Sequence, residues 1–343
     1  MNIQSLPINI SIFAIAAIII AVVGIRMAKV TDELADKTGW GQAIVGAVFL
    51  GGSTSLSGIV TSVTAAAGGH SELAVSNAVG GIAAQTAFLA IADISYRKAN
   101  LEHAAASIAN LVQGTLLMSL LAIPLLAAAS PQVSLFGIHP ATVILIVAYL
   151  FGLRLVSQAQ ENEMWSPRQT QLTHVEETPA EKSDASSSGL GLLWVKFVIY
   201  ALLVSGSGYL IANSGLEIAS ATGISESVVG GLFTAISTSL PELVTTVAAV
   251  RRGALTLAVG GIIGGNCFDL LLLAFSDIAY RQGSIYGAIE NHQIFVMALT
   301  ILMVGTLLLG LLQREEKGIG NIGFESVLIL VLYLGGVGLL FVS

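Results

Sequence analysis

The tetrapeptide Ser-Thr-Ser-Leu occurs at Ser53 to Leu56 and again at Ser237 to Leu240, and this interval of 184 residues aligns the whole chain with itself. Thr61 falls on Thr245, Val63 on Val247, Gly69 on Gly253, Leu73-Ala74-Val75 on Leu257-Ala258-Val259, and Gly80-Gly81 on Gly264-Gly265. Further on, Asp93-Ile94 and Tyr96-Arg97 fall on Asp277-Ile278 and Tyr280-Arg281. Both copies lie in long apolar stretches. A duplicated apolar segment studded with polar residues is the pattern of a membrane transporter built from two halves.

Composition agrees. Of the 343 residues 55% are hydrophobic and 10% charged, with a mean hydropathy of +0.85, whereas soluble domains carry roughly 25% charged residues. The net charge of −7 says little about partners, because many of the acids cluster between Glu161 and Asp184. No basic run interleaved with aromatics offers a surface to nucleic acid. The single cysteine, Cys267, excludes an intrachain disulfide and a cysteine metal cluster, and reads as a small buried hydrophobe. The apolar run from Ile8 to Val30 is too long for a secretory signal, follows no Lys or Arg in residues 1–7, and has a counterpart at Leu192 to Ser214. A retained membrane span is expected there.

A span needs about 20 apolar residues. On that basis spans are predicted near residues 8–30, 41–67, 73–95, 104–128 and 133–156, and at 192–214, 225–251, 257–279, 288–312 and 317–340. The expected fold is therefore an all-α membrane protein of about ten transmembrane helices. An odd number of spans per half makes the second half enter from the opposite side, so the halves are two inverted five-helix repeats. The predicted boundaries are 1–157 for the first repeat, 158–190 for a flexible loop, and 191–343 for the second repeat. Of the 14 Lys and Arg residues, all but Arg281 fall on the side reached after the first span. The positive-inside rule makes that side cytoplasmic, with both termini external and the 158–190 loop inside, in the plasma (inner) membrane. The loop is rich in Glu, Ser, Thr, Gln and Pro, a composition that cannot bury a core, and reads as a tether.

Candidate chemistry sits in the repeated spans. In Ser237-Thr238-Ser239-Leu240-Pro241-Glu242, helical spacing puts Thr238 and Ser239 on the same face as Glu242. Pro241 has no N–H, so the Ser237 carbonyl loses its helical partner and a kink is expected. Hydroxyls, a carboxylate and a freed carbonyl are oxygen ligands for a hard cation. An ionised acid at mid-membrane costs about 2.5–3.5 kcal/mol and is rarely there without a partner or an ion. The next span carries Asn266 and Asp269 on one face, after a run of glycines that permits close helix approach. In the first repeat Thr54 and Ser55 keep the hydroxyls, but Gly58 stands in the place of Glu242, Ser57 in that of Pro241, and Gln85 in that of Asp269; Asn77 lies opposite Gly261. The predicted cavity is lopsided, with two carboxylates from one half and neutral oxygens from the other.

The segment from Ser237 to Thr246, followed by Gly264 to Asp269, resembles the α-repeat pattern of the sodium/calcium exchanger (cation/Ca²⁺ antiporter) superfamily; the likeness extends over nearly the whole chain. Members usually carry an acid in both repeats, and here the first is degenerate at Gly58. The resemblance implies a secondary active antiporter exchanging Ca²⁺, or a related divalent, for Na⁺ or H⁺ at a midplane site by alternating access. It assigns Glu242 and Asp269 as the main carboxylate ligands, with Thr238, Ser239, Thr54 and Ser55 giving hydroxyl or backbone oxygens and Gln85 an amide oxygen. No cofactor is implied, since the cations are cargo, and the expected partners are the bilayer and inorganic cations, with no protein partner required.

The missing acid keeps a monovalent cation/H⁺ exchanger open, and a degenerate, non-transporting member as well. A membrane enzyme is disfavoured, because His70, His103, His139, His174 and His292 fall in loops or near span ends, away from the Thr/Ser/Glu cluster. Among weaker signals, Asp93–Arg97 and Asp277–Arg281 read as helix-end ion pairs. His70-Ser71-Glu72 reads as a solvated external turn, and Glu290-Asn291-His292 as the interfacial start of a span.

Overall fold

The computed structural model describes residues 5–39, 44–96, 98–135, 137–161, 165–170, 173, 189–318 and 322–342. The first half contributes α1 (Leu6–Thr38), α2 (Ile44–Thr54), α3 (Leu56–Ala67), α4 (Ser71–Ser95), a single turn α5 (Leu101–Ala104), α6 (Ile108–Ala129) and α7 (Pro140–Glu161). The second contributes α8 (Leu190–Thr222), α9 (Glu226–Val228), a π-helical turn (Val229–Thr234), α10 (Ala235–Thr238), α11 (Leu240–Arg252), α12 (Leu255–Asp269), α13 (Leu271–Ala279), a 3-10 turn (Ile285–Ala288), α14 (Asn291–Gln313) and α15 (Phe324–Val342). The interval read in the sequence holds in the backbone: α1 and α8 are each 33 residues long and start and stop at matched positions. Among the described residues there is no strand, only one isolated bridge between Leu135 and Ile138.

Among the described residues eight helical segments, α12–α13 counting as one, are long and apolar enough to cross a membrane, and each half adds a bent pair that brings the total to ten spans. The chain is thus an all-α membrane protein of two inverted five-helix repeats. Span positions follow the hydropathy pattern, with differences at the ends. Helices α1 and α8 overrun their predicted limits because nothing breaks them before Gly39 and Gly223, which cap them at φ 74 in both cases. At 33 residues each is about 50 Å long, more than the ~30 Å hydrocarbon layer requires. Conversely, α7 and α15 start later than predicted, after loop segments, and α7 runs on to Glu161, past the predicted repeat boundary at 157.

Burial sorts the helices. In α4, 83% of the apolar window is buried, and in the α12–α13 span 72%, against 22% for α1 and 17% for α8. The duplicated, polar-studded helices therefore form the middle of the bundle, while α1 lies along α8 at its periphery. Close approach is built in by glycine. A Cβ on Gly80 of α4 would stand 2.3 Å from the carbonyl oxygen of Gly231 in the π-helical turn.

The kink expected before Pro241 is present, an unpredicted and larger one stands at the matched place in the first half, and the cause differs from the expected one. Helices α2 and α3 meet at 67°, and the Glu226–Thr238 segment meets α11 at 45°. The break residues are Ser55 (φ −83, ψ 5) and Ser239 (φ −99, ψ 5), which are matched positions. Only the second is followed by a proline. The larger bend occurs where Ser57 replaces Pro241, so proline is compatible with the break but does not make it.

The Asp277–Arg281 ion pair is not formed. Asp277 is fully buried and accepts from the backbone N–H of Ile285 (2.9 Å) and of His139 (2.8 Å), from Thr142 Oγ1 (2.6 Å) and from Ser284 Oγ (3.2 Å), while Arg281 is exposed. Asp93 repeats this in the first half, accepting from Leu101 N (2.8 Å) and Gly323 N (3.2 Å); Arg97 lies outside the described residues. A buried carboxylate surrounded by orphaned loop amides gains more from them than from a cation at the rim. These aspartates are joints between a span end and the following turn.

The His70-Ser71-Glu72 turn is also more than solvated surface. His70 Nδ1 lies 2.8 Å from Glu226 Oε1, and Ser227 Oγ donates to Glu72 at 3.1 Å, so the turn ties the two halves together. Glu290 forms a capping box with Gln293 at the start of α14, which accounts for that acid at the interface. His103 and His139 lie in or beside the short loop elements, His292 opens α14, and His174 is outside the described residues.

Candidate cation site

Both helix breaks and both central helices converge on one buried cavity. It is lined by Ser55 and Gly58 from the first break, Asn77, Ala78, Gly81 and Gln85 from α4, Thr238, Ser239 and Glu242 from the second break, Asp269 at the end of α12, and Leu272 of α13. Each break matters because it turns the chain: a continuous helix would carry Ser55 and Gly58, or Ser239 and Glu242, along one straight axis past the centre. Sequence neighbours 184 apart meet here. Gln85 Nε2 donates to Asp269 Oδ2 at 2.6 Å, across the pseudo-two-fold axis that relates the two positions.

Asp269 is held on both oxygens, since Ser55 Oγ donates to its Oδ1. Gln85 Nε2 also lies 3.2 Å from Ser239 Oγ, while Gln85 Oε1 is buried with no partner. Glu242 Oε2 is likewise buried and unpartnered. The oxygens left open are therefore one from Glu242 and one from Gln85, beside an Asp269 whose carboxylate is already oriented. Asn77 differs. Its amide N donates to Ser62 Oγ (2.9 Å) and Gly58 O (3.4 Å), and its oxygen accepts from Thr234 (2.8 Å) and Thr238 (3.5 Å). It fixes the two breaks against α4.

Two residues expected at the site stand apart from the lining. The hydroxyl of Thr54 turns back onto the Leu50 and Gly51 carbonyls of its own helix, at 3.1 Å each, as a threonine in the last turn readily does. Asn266 points to Thr86 Oγ1 (3.1 Å) on α4, away from the cavity, with its own oxygen buried and unpartnered. Both residues lie within α12, and there they engage adjacent positions of α4, Asn266 meeting Thr86 and Asp269 meeting Gln85, so only Asp269 lines the cavity.

Conversely, Ser57, Ser62, Thr234 and Leu272 were not picked out. Ser57 Oγ donates to Thr238 O at 3.2 Å, bridging the two breaks. Ser62 and Thr234 lie four residues from Gly58 and Thr238 on the same helix faces, so extending the i,i+4 pattern by one turn would have found them. Leu272 gives no polar signal, yet it explains the lopsidedness: a Cβ on Gly58 would stand 3.1 Å from Leu272 Cδ2 and 4.0 Å from Thr238 Oγ1. The space of a first-repeat acid is partly taken by a leucine from the other half.

A pseudo-symmetric, ten-span helical bundle with an acidic buried cavity at two broken helices has the form of the inverted-repeat cation transporters. Residues 8–158 and 192–342 match the family described as sodium/calcium exchanger protein, and the chain belongs to it. In sequence it is 40% identical over 81 residues, 23% of each chain, to the sodium/calcium exchanger MaX1 of Methanosarcina acetivorans. The chain spans about half the length of the curated relatives it matches over the longest stretches. Its fold is that of the H⁺/Ca²⁺ exchanger CAX, with a TM-score of 0.70 at 13% identity covering 95% of this chain and 81% of that one. The sodium-calcium exchanger NCX_Mj superposes with a TM-score of 0.58 at 21% identity, covering 97% of this chain and 99% of that one.

Proposed function

We propose that the protein is a secondary active antiporter that exchanges Ca²⁺, or a related divalent cation, for Na⁺ or H⁺ by alternating access at the cavity between the two helix breaks. The observation that carries this is the buried Glu242 oxygen without a partner, beside Asp269 and the open Gln85 oxygen, in a cavity to which both halves contribute. An unpartnered carboxylate in the membrane interior calls for a cation. Glu242 and Asp269 supply the charge, Gln85, Ser55, Ser239 and Thr238 supply neutral oxygens, and Asn77 positions the breaks. Membership of the exchanger family and the exchanger names of the relatives support the same reading.

Two carboxylates balance one divalent ion or two monovalent ions. Exchange of one divalent for about two monovalents is therefore close to electroneutral. We place the protein in the plasma (inner) membrane with both termini external and the 158–190 loop cytoplasmic, the arrangement that puts nearly all Lys and Arg inside. In this reading residues 1–157 and 191–343 are the moving repeats, and one chain in a bilayer suffices, with no cofactor.

The test is ⁴⁵Ca²⁺ uptake into proteoliposomes, driven in turn by outward Na⁺ and H⁺ gradients, at membrane potentials clamped with K⁺ and valinomycin. Uptake driven by one of the gradients and insensitive to potential is expected. Uptake that tracks potential would overturn the two-charge site. No Ca²⁺ uptake by folded protein would overturn the divalent assignment and leave monovalent exchange.

A further inference from the structure

Where α4 runs into α5, three carboxylates are buried together: Asp93 of α4, Glu102 of α5 and Glu325 at the start of α15, none of them exposed at all. Asp93 is satisfied by the Leu101 and Gly323 amides. Glu325 Oε1 accepts from Asn100 Nδ2 at 2.6 Å, but its Oε2 has no partner, and neither oxygen of Glu102 has one. Asn100 ties the two residues together, its Oδ1 accepting from Glu102 N (3.4 Å) while its Nδ2 serves Glu325. Ionised carboxylates are acceptors only, so three unpartnered carboxyl oxygens buried in one joint call for a hydrogen.

The fold does not require this acid pair. At the matched joint of the other half, Asp277 holds the Ile285 and His139 amides as Asp93 holds those of Leu101 and Gly323. There Tyr286 stands in the place of Glu102 and Ala141 in that of Glu325. The Tyr286 hydroxyl meets Thr142 Oγ1 at 3.3 Å, and the joint closes with one acid.

The surroundings hold no compensating charge. Against α5 pack the end of α4, α12, α14 and the start of α15. The first brings Asp93 and the last Glu325. From α12 the titratable groups are Cys267 and Asp269, the latter engaged by Ser55 and Gln85. At the end of α14, Arg314 directs its guanidinium to Arg168 O (2.5 Å), His103 O (3.2 Å) and Thr173 Oγ1 (3.0 Å). His103, on α5 itself, is bonded to Arg314 O (2.6 Å) and Thr170 Oγ1 (2.7 Å). Glu316 contributes its carbonyl to Asn100 N at 3.2 Å, with its side chain exposed. Among the described residues no cation lies within ion-pair distance of the three acids.

We propose that Glu102 and Glu325 form a proton-binding site separate from the transport cavity, in which one shared proton latches α5 to α15. The same joint carries three described residues of the inter-repeat loop, Arg168, Thr170 and Thr173, docked on His103 and Arg314. Losing the proton leaves two facing charges next to Asp93 in a sealed pocket, and their repulsion drives α5 from α15 and releases the loop. This inference does not depend on which ions the cavity exchanges.

Burial, with the charges of Asp93 and Glu325, pushes the Glu102 carboxyl well up from its ordinary value. The folded state then holds this proton more tightly than the unfolded chain. Its stabilisation is complete below the ordinary glutamate range and is lost as pH rises toward the folded value. The test is the pH dependence of thermal unfolding of the purified full chain, wild type against Glu102→Gln and Glu325→Gln, with infrared detection of protonated carboxyl. An amide in place of the carboxyl donates permanently. Each variant should lose one proton's worth of slope, a tenfold change in the folding constant per pH unit within the window, and the carboxyl band should vanish in Glu102→Gln while persisting in Glu242→Gln. Unchanged slopes would overturn the proposal. So would a wild-type spectrum without the band, which needs no variant to fold. Stabilisation of Glu242→Gln by Ca²⁺ or Mg²⁺ that disappears when Glu102→Gln is added would replace the proton with a metal ion and also overturn it.

Discussion

The first repeat breaks its second span at Ser55 by 67° and follows the break with Ser57 and Gly58; the second breaks at Ser239 by 45° and follows it with Pro241 and Glu242. The two halves reproduce one backbone to the residue in most of their element ends, yet the charge of the cavity comes from the second half alone. At the opposite joints the bias reverses. The joint at Asp93 buries three acids, two from the first half and Glu325 from the second, and its counterpart at Asp277 buries one. Scaffold and charge are thus separable: duplication fixes where helices break and cap, and each half is free to place its acids.

The comparison can be broken or sharpened by moving those charges. Replacing Glu242 by Gln removes the open carboxylate and should weaken cation binding by about 3 kcal/mol, roughly a hundredfold in apparent affinity, measured as the concentration dependence of Ca²⁺ uptake. The matching change in the first half adds charge instead. Gly58→Glu with Leu272→Ala, which clears the space, should make exchange sensitive to membrane potential in clamped proteoliposomes, because three carboxylates no longer balance one divalent ion. Gln85→Leu leaves the Asp269 carboxylate short of its 2.6 Å donor, and should lower stability by about 1–3 kcal/mol in thermal unfolding. Asp277→Ala should cost a similar amount by orphaning the Ile285 and His139 amides, whereas Arg281→Gln should stay within about 0.5 kcal/mol. An equal loss for Asp277→Ala and Arg281→Gln would restore the ion pair that the structure replaces with a joint.

Much of this was legible in the sequence because membrane spans and duplication leave strong one-dimensional signals. The 184-residue interval and the odd span count gave the inverted repeat before any contact was known, and seven of the nine candidate site residues line one cavity. What the sequence hid depends on local turns. Thr54 and Ser55 are adjacent, and only the backbone at the break decides that Ser55 faces Asp269 while Thr54 folds back onto Leu50. Asn266 is absent from the lining because its amide is taken by Thr86 of α4, a partner 180 residues away in sequence. The Asp277–Arg281 spacing fits an ion pair on a helix, but the fold brings His139 and Ile285 to the same carboxylate, and those neighbours are remote in sequence. The burial of Glu102 with Glu325 joins residues more than 200 apart and has no counterpart in the other repeat, so self-alignment could not point to it.

The most direct measurement is gradient-driven ⁴⁵Ca²⁺ uptake by wild type and Glu242→Gln reconstituted side by side, with folding of both checked by thermal unfolding. Uptake by the wild type that falls to background in the variant is the expected result. Uptake that survives the substitution unchanged would contradict a transport site built on Glu242.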